Sequence, residues 1–308
     1  MMGVRTDLAS EAVAERKEMP GIRVSEEEPE KGISVTRVFI DTEDAAKELG
    51  KAVGRFVTID APNLADKDPE YREKVELVLK KELLDLIGQL KKGDAVLVAG
   101  LGNRTITPDA LGPAVADKVL VSRHVTEYLP DQVDDRVRPV CSIAPGVLGM
   151  TGIETGEVIQ GVVEKVHPAL VIAIDALASR STERISTSVQ LTDTGVQPGS
   201  GIGNARMQLT KETLGVPVIA LGVPTVVHAS TISQDAVTLL LNEMGEDAEK
   251  GRQLVELAGK VVSERIGPLV VTPRDIDSII DRSAELLSAG IDMALHGVNQ
   301  EELRRFLS

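Results

Sequence analysis

Short apolar runs separated by longer amphipathic stretches recur along this chain of 308 residues. Residues 95–99 (Ala-Val-Leu-Val-Ala) and 170–174 (Leu-Val-Ile-Ala-Ile) are continuously apolar, as is typical of strands buried on both faces of a parallel sheet. Residues 68–92 instead repeat apolar side chains at helical spacing, which predicts a long amphipathic helix. The pattern predicts an α/β fold: a mostly parallel twisted sheet with helices on both faces.

The same patterns predict the other elements and the place of two of them. Further strands are predicted at 34–41, 55–60, 138–144, 185–191 and within 217–227. Further helices are predicted at 45–50, 108–129, 156–166, 231–244, 250–266 and 273–295. The strand at 185–191 alternates polar and apolar residues, so we expect it at a sheet edge. Residues 1–33 are rich in charge and are expected to form a loosely docked arm.

Composition and charge restrict the possible partners. The formal charge of −14 disfavours direct contact with nucleic acid, and an aromatic content of 2% leaves few rings on which bases could stack. Cys141 is the only cysteine, which indicates a reducing compartment. We find neither a signal peptide nor a run of apolar residues long enough to span a bilayer. The expectation is a cytoplasmic protein that contacts neither nucleic acid nor membrane.

Two aspartates follow apolar runs and are the strongest candidates for catalysis. Asp109 follows the run at 95–99 through the loop 100–108, and Asp175 directly follows the run at 170–174. Parallel strands deliver the residues after them to one edge of a sheet, where open α/β folds build their sites. A carboxylate pair that shares a proton supplies one general acid and one general base. Asp109 and Asp175 therefore predict a hydrolase.

Glycine-rich loops follow several of the predicted strands. The turn Gly-Leu-Gly-Asn at 100–103 lacks the third glycine of a dinucleotide loop, because position 105 is Thr. We interpret it as a tight turn whose backbone amides approach a reacting carbonyl, as in an oxyanion hole. Other glycines are placed to line an extended cleft for a peptide. The candidates for this oxyanion and substrate loop are Gly100, Gly102, Asn103, Gly146, Gly199 and Gly201.

His228 offers an alternative chemistry. It follows the predicted strand within 217–227 and is expected near the same sheet edge as Asp109 and Asp175. Two carboxylates and one imidazole can bind a divalent metal. The ligands are not clustered in the sequence, so a metal-assisted hydrolase remains an alternative hypothesis. A non-catalytic protein that binds nucleotide or phosphate through the loop at 100–103 is another.

Longer motifs resemble a known family. They are Val-Ala-Gly-Leu-Gly-Asn at 98–103, Thr-Pro-Asp-Ala-Leu-Gly-Pro at 107–113, Pro-Gly-Val-Leu-Gly-Met-Thr-Gly-Ile-Glu-Thr at 145–155, Ile-Ala-Ile-Asp-Ala-Leu-Ala at 172–178 and Pro-Gly-Ser-Gly-Ile-Gly-Asn at 198–204. Together with the start at 4–9 and the loop at 222–227, they resemble the germination proteases of spore-forming bacteria. The resemblance covers nearly the whole chain.

The resemblance implies a function and a fold. Germination proteases are endopeptidases that begin the degradation of small acid-soluble spore proteins. They are made as zymogens, behave as homotetramers and act in the forespore and spore core. Their fold is shared with hydrogenase maturation proteases, of the phosphorylase/hydrolase-like type. Their essential aspartates correspond to Asp109 and Asp175. No cofactor is expected for this aspartic-type reaction.

The resemblance also implies a cleavage site in the chain itself. The family cuts its substrates within a motif like Thr-Glu-Phe/Ile-Ala-Ser-Glu, and residues 6–11 read Thr-Asp-Leu-Ala-Ser-Glu. We therefore expect self-cleavage between Asp7 and Leu8, with residues 1–7 as a propeptide and 8–308 as a single α/β peptidase domain. Position 228 is His where the family is expected to have Asp, which leaves the family's role for that site open. A metal-dependent maturation-type endopeptidase using Asp109, Asp175 and His228 is an alternative.

Overall fold

The computed structural model of the chain is organised around one β-sheet. The structure describes residues 6–14, 18–62, 64, 68–134, 136–197, 207–245, 248–298 and 302. Nine strands of this part of the chain form the sheet: β1 (Ile22–Glu30), β2 (Ile33–Ile40), β3 (Gly54–Asp60), β4 (Val96–Gly100), β5 (Val140–Ile143), β6 (Leu170–Ser179), β7 (Ser188–Thr192), β8 (Val218–His228) and β9 (Val270–Val271). Their order is β1-β2-β3-β7-β8-β6-β4-β5, and β9 pairs with β8.

The core of the sheet is parallel, as the apolar runs predict. Strands β8, β6, β4 and β5 pair in parallel, with Val98 of β4 opposite Ile172 of β6 and Ser142 of β5. The remaining pairs, from β1 through β7 to β8, are antiparallel and extend the sheet on one side. The predicted α/β fold class is confirmed, with an antiparallel extension added to the parallel core.

Helices cover both faces of the parallel strands. The described residues form the helices α1 (Ala9–Val13), α2 (Glu43–Leu49), α3 (Pro69–Ile87), α4 (Leu111–Lys118), α5 (Arg123–Tyr128), α6 (Leu148–Thr151), α7 (Thr155–Val166), α8 (Lys211–Leu214), α9 (Ala229–Met244), α10 (Ala248–Arg265) and α11 (Ile276–His296). Alternate residues of β6 face opposite layers: Ile172 packs with α3, α4 and α11, while Val171 packs with α7. Burial on both faces explains why these strands are apolar throughout.

Helix α3 illustrates how local sequence sets the ends of an element. Its side-chain cap is Asp68, which accepts a hydrogen bond from the Glu70 amide, and Pro69 occupies the first turn. The helix ends at Ile87, five residues before the end expected from the apolar spacing, and is followed by Gly88, whose φ is 66°. On the described residues, no helix is both long and apolar enough to span a membrane.

Two expectations about placement are wrong. Strand β7 was expected at an edge but lies inside the sheet between β3 and β8, and all five of its residues are buried. Two of its polar residues, Gln190 and Thr192, line a cavity instead of facing bulk solvent. The charged segment before residue 33 was expected to be a loose arm, yet β1 pairs with β2 along most of its length. Most of its charged side chains are exposed because β1 is an edge strand, where charge opposes association with other sheets.

Candidate active site

A cavity of about 780 Å³ opens where the parallel strands end on their carboxyl side. It extends from the loop before α4, across β6, β8 and β7, to α2. Its lining includes Asp7, Lys51, Phe56, Ile106, Pro108, Asp109, Asp175, Leu177, Gln190, Thr192, Gly222, Thr225 and His228. Open α/β sheets bind ligands at this edge, and a volume of this size accommodates several residues of a peptide.

Asp175 lies within β6, not just past its end. The apolar run stops at Ile174, but the strand continues to Ser179. Pairing with β4 stops at Ile174, opposite Gly100, so Asp175 is the first residue of β6 beyond the end of the neighbouring strand. One of its carboxylate oxygens, Oδ1, accepts a hydrogen bond of 2.9 Å from the Ala176 amide. The residue is half-buried in the crevice that the shorter strand leaves open.

Asp109 lies on a short 3₁₀ turn, Thr107–Asp109, between β4 and α4. The Asn103 amide donates to its carboxylate Oδ2 at 2.8 Å and to its main-chain oxygen at 3.0 Å. The buried Thr225 hydroxyl of β8 donates to the Pro108 carbonyl at 2.7 Å. The turn is thus held from two sides, which fixes the position of the Asp109 side chain.

The loop after β4 connects the two aspartates structurally. The Leu101 amide donates to the carbonyl of Ile174, the residue before Asp175, at 2.8 Å. Gly112 of α4 packs against the same two backbones, so a Cβ there would come within 2.5 Å of the oxygens of Leu101 and Ile174. Both predicted catalytic residues, Asp109 and Asp175, line the cavity. Each has a further interaction within the protein, so neither carboxylate is isolated.

The predicted cleavage site lies against β6. The Asp7 amide donates to the Ala178 carbonyl at 2.9 Å, and the Ala178 amide donates to the Asp7 carboxylate at 2.8 Å. The Leu8 side chain is fully buried. Asp7 lines the same cavity as Asp109 and Asp175. The segment is therefore docked, and the cavity brings one residue of the predicted cleavage site together with the predicted catalytic pair.

The end of the same segment is held by backbone amides. The Glu11 carboxylate accepts hydrogen bonds from the amides of Arg180 (2.7 Å) and Ser181 (3.0 Å), just after β6. It also accepts one from the Thr6 hydroxyl, and the Arg184 guanidinium lies 3.7 Å away. These contacts neutralise a carboxylate that is nearly buried. The first and last residues of the motif at 6–11 are thereby joined to each other and to the sheet.

Of the predicted loop residues that the structure describes, none lines the cavity: Gly100, Gly102, Asn103 and Gly146. Gly100 and Gly102 are buried in the turn that folds over Asp109, and the Asn103 amide is engaged by that carboxylate. Gly146 follows β5, where its carbonyl accepts a hydrogen bond from Thr155, and it is not among the described residues that line the cavity. The predictions for Gly199 and Gly201 lie outside the described residues. The turn at 100–103 thus positions Asp109 in this structure.

His228 reaches the cavity at a distance from the aspartates. It ends β8, six residues beyond Gly222, which is the register partner of Asp175. The β6–β8 pairing has a register shift, so Val227 lies opposite Ser179 and His228 lies about five residues along the sheet from Asp175. Five residues of strand span about 17 Å, whereas two ligands of one metal ion lie only a few Å apart. Among the residues that the structure describes, no group of three or more His, Cys, Asp and Glu side chains could hold a metal ion. Asp109, Asp175 and His228 therefore do not form a three-ligand site there.

Two polar residues that the sequence did not single out also line the cavity. Lys51 follows α2, and Gln190 lies in the middle of β7. The sequence contained a sign of Gln190's role, because a polar residue inside a mainly apolar strand can face a cleft, but the alternation was interpreted as a sheet edge. No sequence pattern pointed to Lys51, because only folding brings it next to the N-terminal segment. Burial lowers the pKa of Lys51, while the carboxylates of Asp7 and Glu11 oppose that shift.

The fold and the cavity define an α/β protein with a cleft that accepts a peptide segment at the carboxyl edge of parallel strands. Comparison with known families agrees with this class. The family model described as germination protease matches residues 3–263. The chain belongs to the germination protease family, and this membership supports a protease role in spore germination.

Individual relatives match over nearly their whole length. The germination protease of Caldanaerobacter subterraneus subsp. tengcongensis is 46% identical over 322 residues, which cover 100% of this chain and 99% of the relative. That of Clostridium perfringens is 44% identical, with 100% of both chains covered. That of Bacillus cereus is 40% identical, with 95% and 94% covered. The resemblance inferred from the motifs is confirmed.

Among solved structures, a hydrogenase maturation protease shows low similarity to this chain. The NiFe hydrogenase maturation protease HycI from Thermococcus kodakarensis is 17% identical, with a TM-score of 0.35. The match covers 68% of this chain and 98% of that chain.

Proposed function

We propose that this protein is an aspartic-type endopeptidase that initiates degradation of small acid-soluble spore proteins during germination, and that it is made as a zymogen. The observation that carries the proposal is the position of the segment 6–11. This segment copies the motif expected in substrates, and its Asp7 lines the cavity together with Asp109 and Asp175. A candidate peptide bond and a candidate acid–base pair therefore share one cleft.

In the proposed reaction the two carboxylates divide the proton transfers. One of Asp109 and Asp175 is ionised and takes a proton from the attacking water, while the other is protonated and gives its proton to the leaving amine. The two roles belong to the pair, and neither is assigned to one residue. The Asn103 amide donates to the carboxylate of Asp109 and the Ala176 amide to that of Asp175, and these hydrogen bonds orient both groups.

Substrate recognition is proposed to follow the contacts of the segment 6–11. An apolar residue after the cleaved bond suits the pocket that buries Leu8 completely. An acidic residue at the end of the motif suits the amides of Arg180 and Ser181 that hold Glu11. Small acid-soluble spore proteins that carry Thr-Glu-Phe/Ile-Ala-Ser-Glu present the same chemistry at each of these positions. We propose that they bind in the place of the chain's own segment after it is released.

The zymogen proposal is supported by the position of the segment 6–11, whose Asp7 lines the cavity. Residues 1–7 form the propeptide and residues 8–308 the peptidase domain, so that cleavage after Asp7 creates a new N-terminus at Leu8. The protein is proposed to act in the forespore and spore core, where its substrates are found. It is also proposed to be a homotetramer. Apolar side chains exposed on α9 and α10 support self-association: Leu239, Leu240, Met244, Leu254 and Leu257.

The experiment that tests the catalytic pair uses a peptide substrate. A peptide containing Thr-Asp-Leu-Ala-Ser-Glu is incubated with the wild-type protein and with the variants Asp109→Asn and Asp175→Asn. We expect the wild type to cut between Asp and Leu, and each variant to lose cleavage while keeping its thermal unfolding midpoint. Near-normal turnover by either variant contradicts the mechanism. Loss of wild-type activity after exhaustive chelation would instead favour the metal-assisted hydrolase.

A further inference from the structure

Two side chains outside the aspartate pair donate hydrogen bonds to the carbonyl oxygen of Asp7. The Lys51 ammonium nitrogen Nζ lies 2.9 Å from this oxygen, and the Gln190 amide nitrogen Nε2 lies 2.7 Å from it. Lys51 also donates to the Thr6 carbonyl at 2.8 Å. Two donors at these distances occupy both lone pairs of the Asp7 carbonyl oxygen and draw electron density away from its carbon.

Gln190 holds the chain on both sides of the Asp7–Leu8 bond. Its Nε2 donates to the Asp7 carbonyl, while its Oε1 accepts a hydrogen bond of 2.6 Å from the Ala9 amide. The Leu8 side chain between them is fully buried. One amide side chain, fixed on a buried strand, therefore sets the position of the peptide bond that follows Asp7.

The sheet register places Gln190 in the same row as Asp175. Gly222 of β8 is the register partner of both residues, of Gln190 on β7 and of Asp175 on β6. Register partners project to one face of a sheet, and two strand spacings separate the outer Cα atoms by about 10 Å. Gly222 contributes no side chain between them. The donor to the carbonyl and one of the proposed catalytic carboxylates thus approach from opposite sides of the same cleft.

We infer that Lys51 and Gln190 form the carbonyl-binding half of the active site and stabilise the negative charge that develops on the carbonyl oxygen of the cleaved bond. This inference rests on the proposed function. The oxyanion site then consists of two side chains, Lys51 in the loop after α2 and Gln190 on β7. It does not consist of the backbone amides at 100–103. After processing, the same pair would bind the corresponding carbonyl of a substrate chain.

The step balances with water as the only co-reactant. The water oxygen bonds to the carbonyl carbon of Asp7 and gives a proton to the ionised carboxylate of the aspartate pair. The carbonyl π electrons move to the oxygen, where the Lys51 ammonium and the Gln190 amide face the new charge. The carbon–nitrogen bond then breaks, and the Leu8 nitrogen takes a proton from the protonated carboxylate. The products are a carboxylic acid at the main-chain carbon of Asp7, which then releases its proton to solvent, and an amine at Leu8.

The same contacts would have the opposite effect if they served only as an anchor. An anchor holds the segment 6–11 closed, so removing it would free the segment and leave or increase the rate of peptide hydrolysis. An oxyanion site lowers the barrier, so removing a donor would slow the chemical step with little change in binding. Removal of one such donor costs about 10²–10³-fold in kcat. The rate of the chemical step therefore separates the two roles.

The test uses the full-length protein and the variants Lys51→Met, Gln190→Leu and Lys51→Arg. Lys165→Met, which removes a lysine exposed on α7, is the control for loss of a positive charge. Self-cleavage between Asp7 and Leu8 is followed by mass spectrometry. Hydrolysis of a peptide containing Thr-Asp-Leu-Ala-Ser-Glu gives kcat and KM separately, and circular dichroism verifies the fold of each variant.

We expect Lys51→Met and Gln190→Leu each to lower kcat by about 10²–10³-fold with a small change in KM, and Lys165→Met to have no effect. Lys51→Arg should restore part of the rate and move the loss of activity at alkaline pH to higher pH, because a guanidinium stays protonated there. A lysine that only holds the segment would not move this limb of the pH profile. If Lys51→Met does not fold, Gln190→Leu still decides the question.

Two outcomes overturn the inference, and they are distinguishable from failure of the proposed function. If Asp109→Asn abolishes cleavage while Lys51→Met and Gln190→Leu cut at the wild-type rate or faster, the result supports the peptidase mechanism and contradicts the proposed oxyanion site. If the wild-type protein cuts neither its own Asp7–Leu8 bond nor the peptide, the proposed function and this inference fall together.

Discussion

The substitution Gly102→Ala adds one methyl group and tests whether catalysis requires the loop after β4 to hold Asp109 in its present position. Its φ is +113°, and an ideal Cβ there would lie 2.1 Å from the main-chain oxygen of Asp109 and 3.2 Å from its carboxylate Oδ1. Since Cβ contacts under 3.0 Å essentially do not occur, Gly102→Ala must move the two groups apart by about 0.9 Å. This movement would displace Asp109, one of the two residues proposed to transfer protons in the reaction.

The expected effect on catalysis is larger than the effect on folding. A misplacement of about 1 Å costs on the order of 10²-fold in rate, and a non-glycine residue at this φ costs about 1–3 kcal/mol of stability. The assay measures kcat/KM on the peptide containing Thr-Asp-Leu-Ala-Ser-Glu, together with the free energy of unfolding in urea. We expect Gly102→Ala to lose activity at temperatures where it remains folded.

Gly32→Ala is the matched control. Gly32 has a φ of +79° in the turn between β1 and β2, and no atom lies within 4 Å of its ideal Cβ. The substitution therefore imposes left-handed strain without steric overlap. It should lower stability and leave kcat/KM unchanged. Equal kcat/KM in Gly102→Ala and the wild type would refute the argument that this close approach fixes Asp109.

Three further predictions concern the stability of the fold. Burial raises the pKa of Asp292 to about 7, so between about pH 4 and 7 the folded protein holds a proton that the unfolded chain releases. The free energy of unfolding should therefore fall by about 4 kcal/mol as the pH rises through this window, and urea titrations at several pH values should show that Asp292→Asn removes this fall. Leu79→Ala, in the fully buried contact between α3 and α11, should cost about 2–5 kcal/mol in the same titration, and a loss below 1 kcal/mol would contradict the packing described. Glu82→Gln should cost on the order of 3 kcal/mol, because it removes the buried carboxylate 2.8 Å from the Arg37 guanidinium and leaves Arg37 paired only with the more exposed Glu27; unchanged stability at low salt would count against this role.

The core of the fold was accessible from the sequence because burial on two faces demands an uninterrupted apolar run. The runs that contain Val98 and Ile172 became the central parallel strands, with alternate residues facing different helical layers. Edges and polar interior strands were not accessible in this way. The charges of β1 suggested a loose arm, although an exposed edge strand tolerates charge on both of its surfaces.

Strand β7 shows why polarity alone does not locate a strand. Gln190 and Thr192 interrupt its apolar residues, and the alternation predicted a sheet edge. The strand is instead enclosed between β3 and β8, and both side chains line the cavity. A polar side chain can face a functional cleft as well as bulk water. Only the arrangement of the neighbouring strands distinguishes the two.

The candidate site was predictable to the extent that it follows strand ends. Asp109 and Asp175 were identified because residues at the carboxyl ends of parallel strands converge, and both line the cavity. Asp175 nevertheless lies within β6, because this strand continues past the end of β4. Lys51 was not identified, since its contacts with Thr6 and Asp7 join segments 44 and 45 residues apart. Such long-range contacts leave no local pattern.

The central claim is that this chain cuts its own Asp7–Leu8 bond with Asp109 and Asp175. The most direct measurement is the mass and N-terminal sequence of the purified protein after incubation at mildly acidic pH, for the wild type and for Asp175→Asn. We expect a wild-type product that begins at Leu8 and an Asp175→Asn chain that keeps residues 1–7. An Asp175→Asn chain that is processed at the same bond and rate, or a wild-type chain that stays intact, would contradict it.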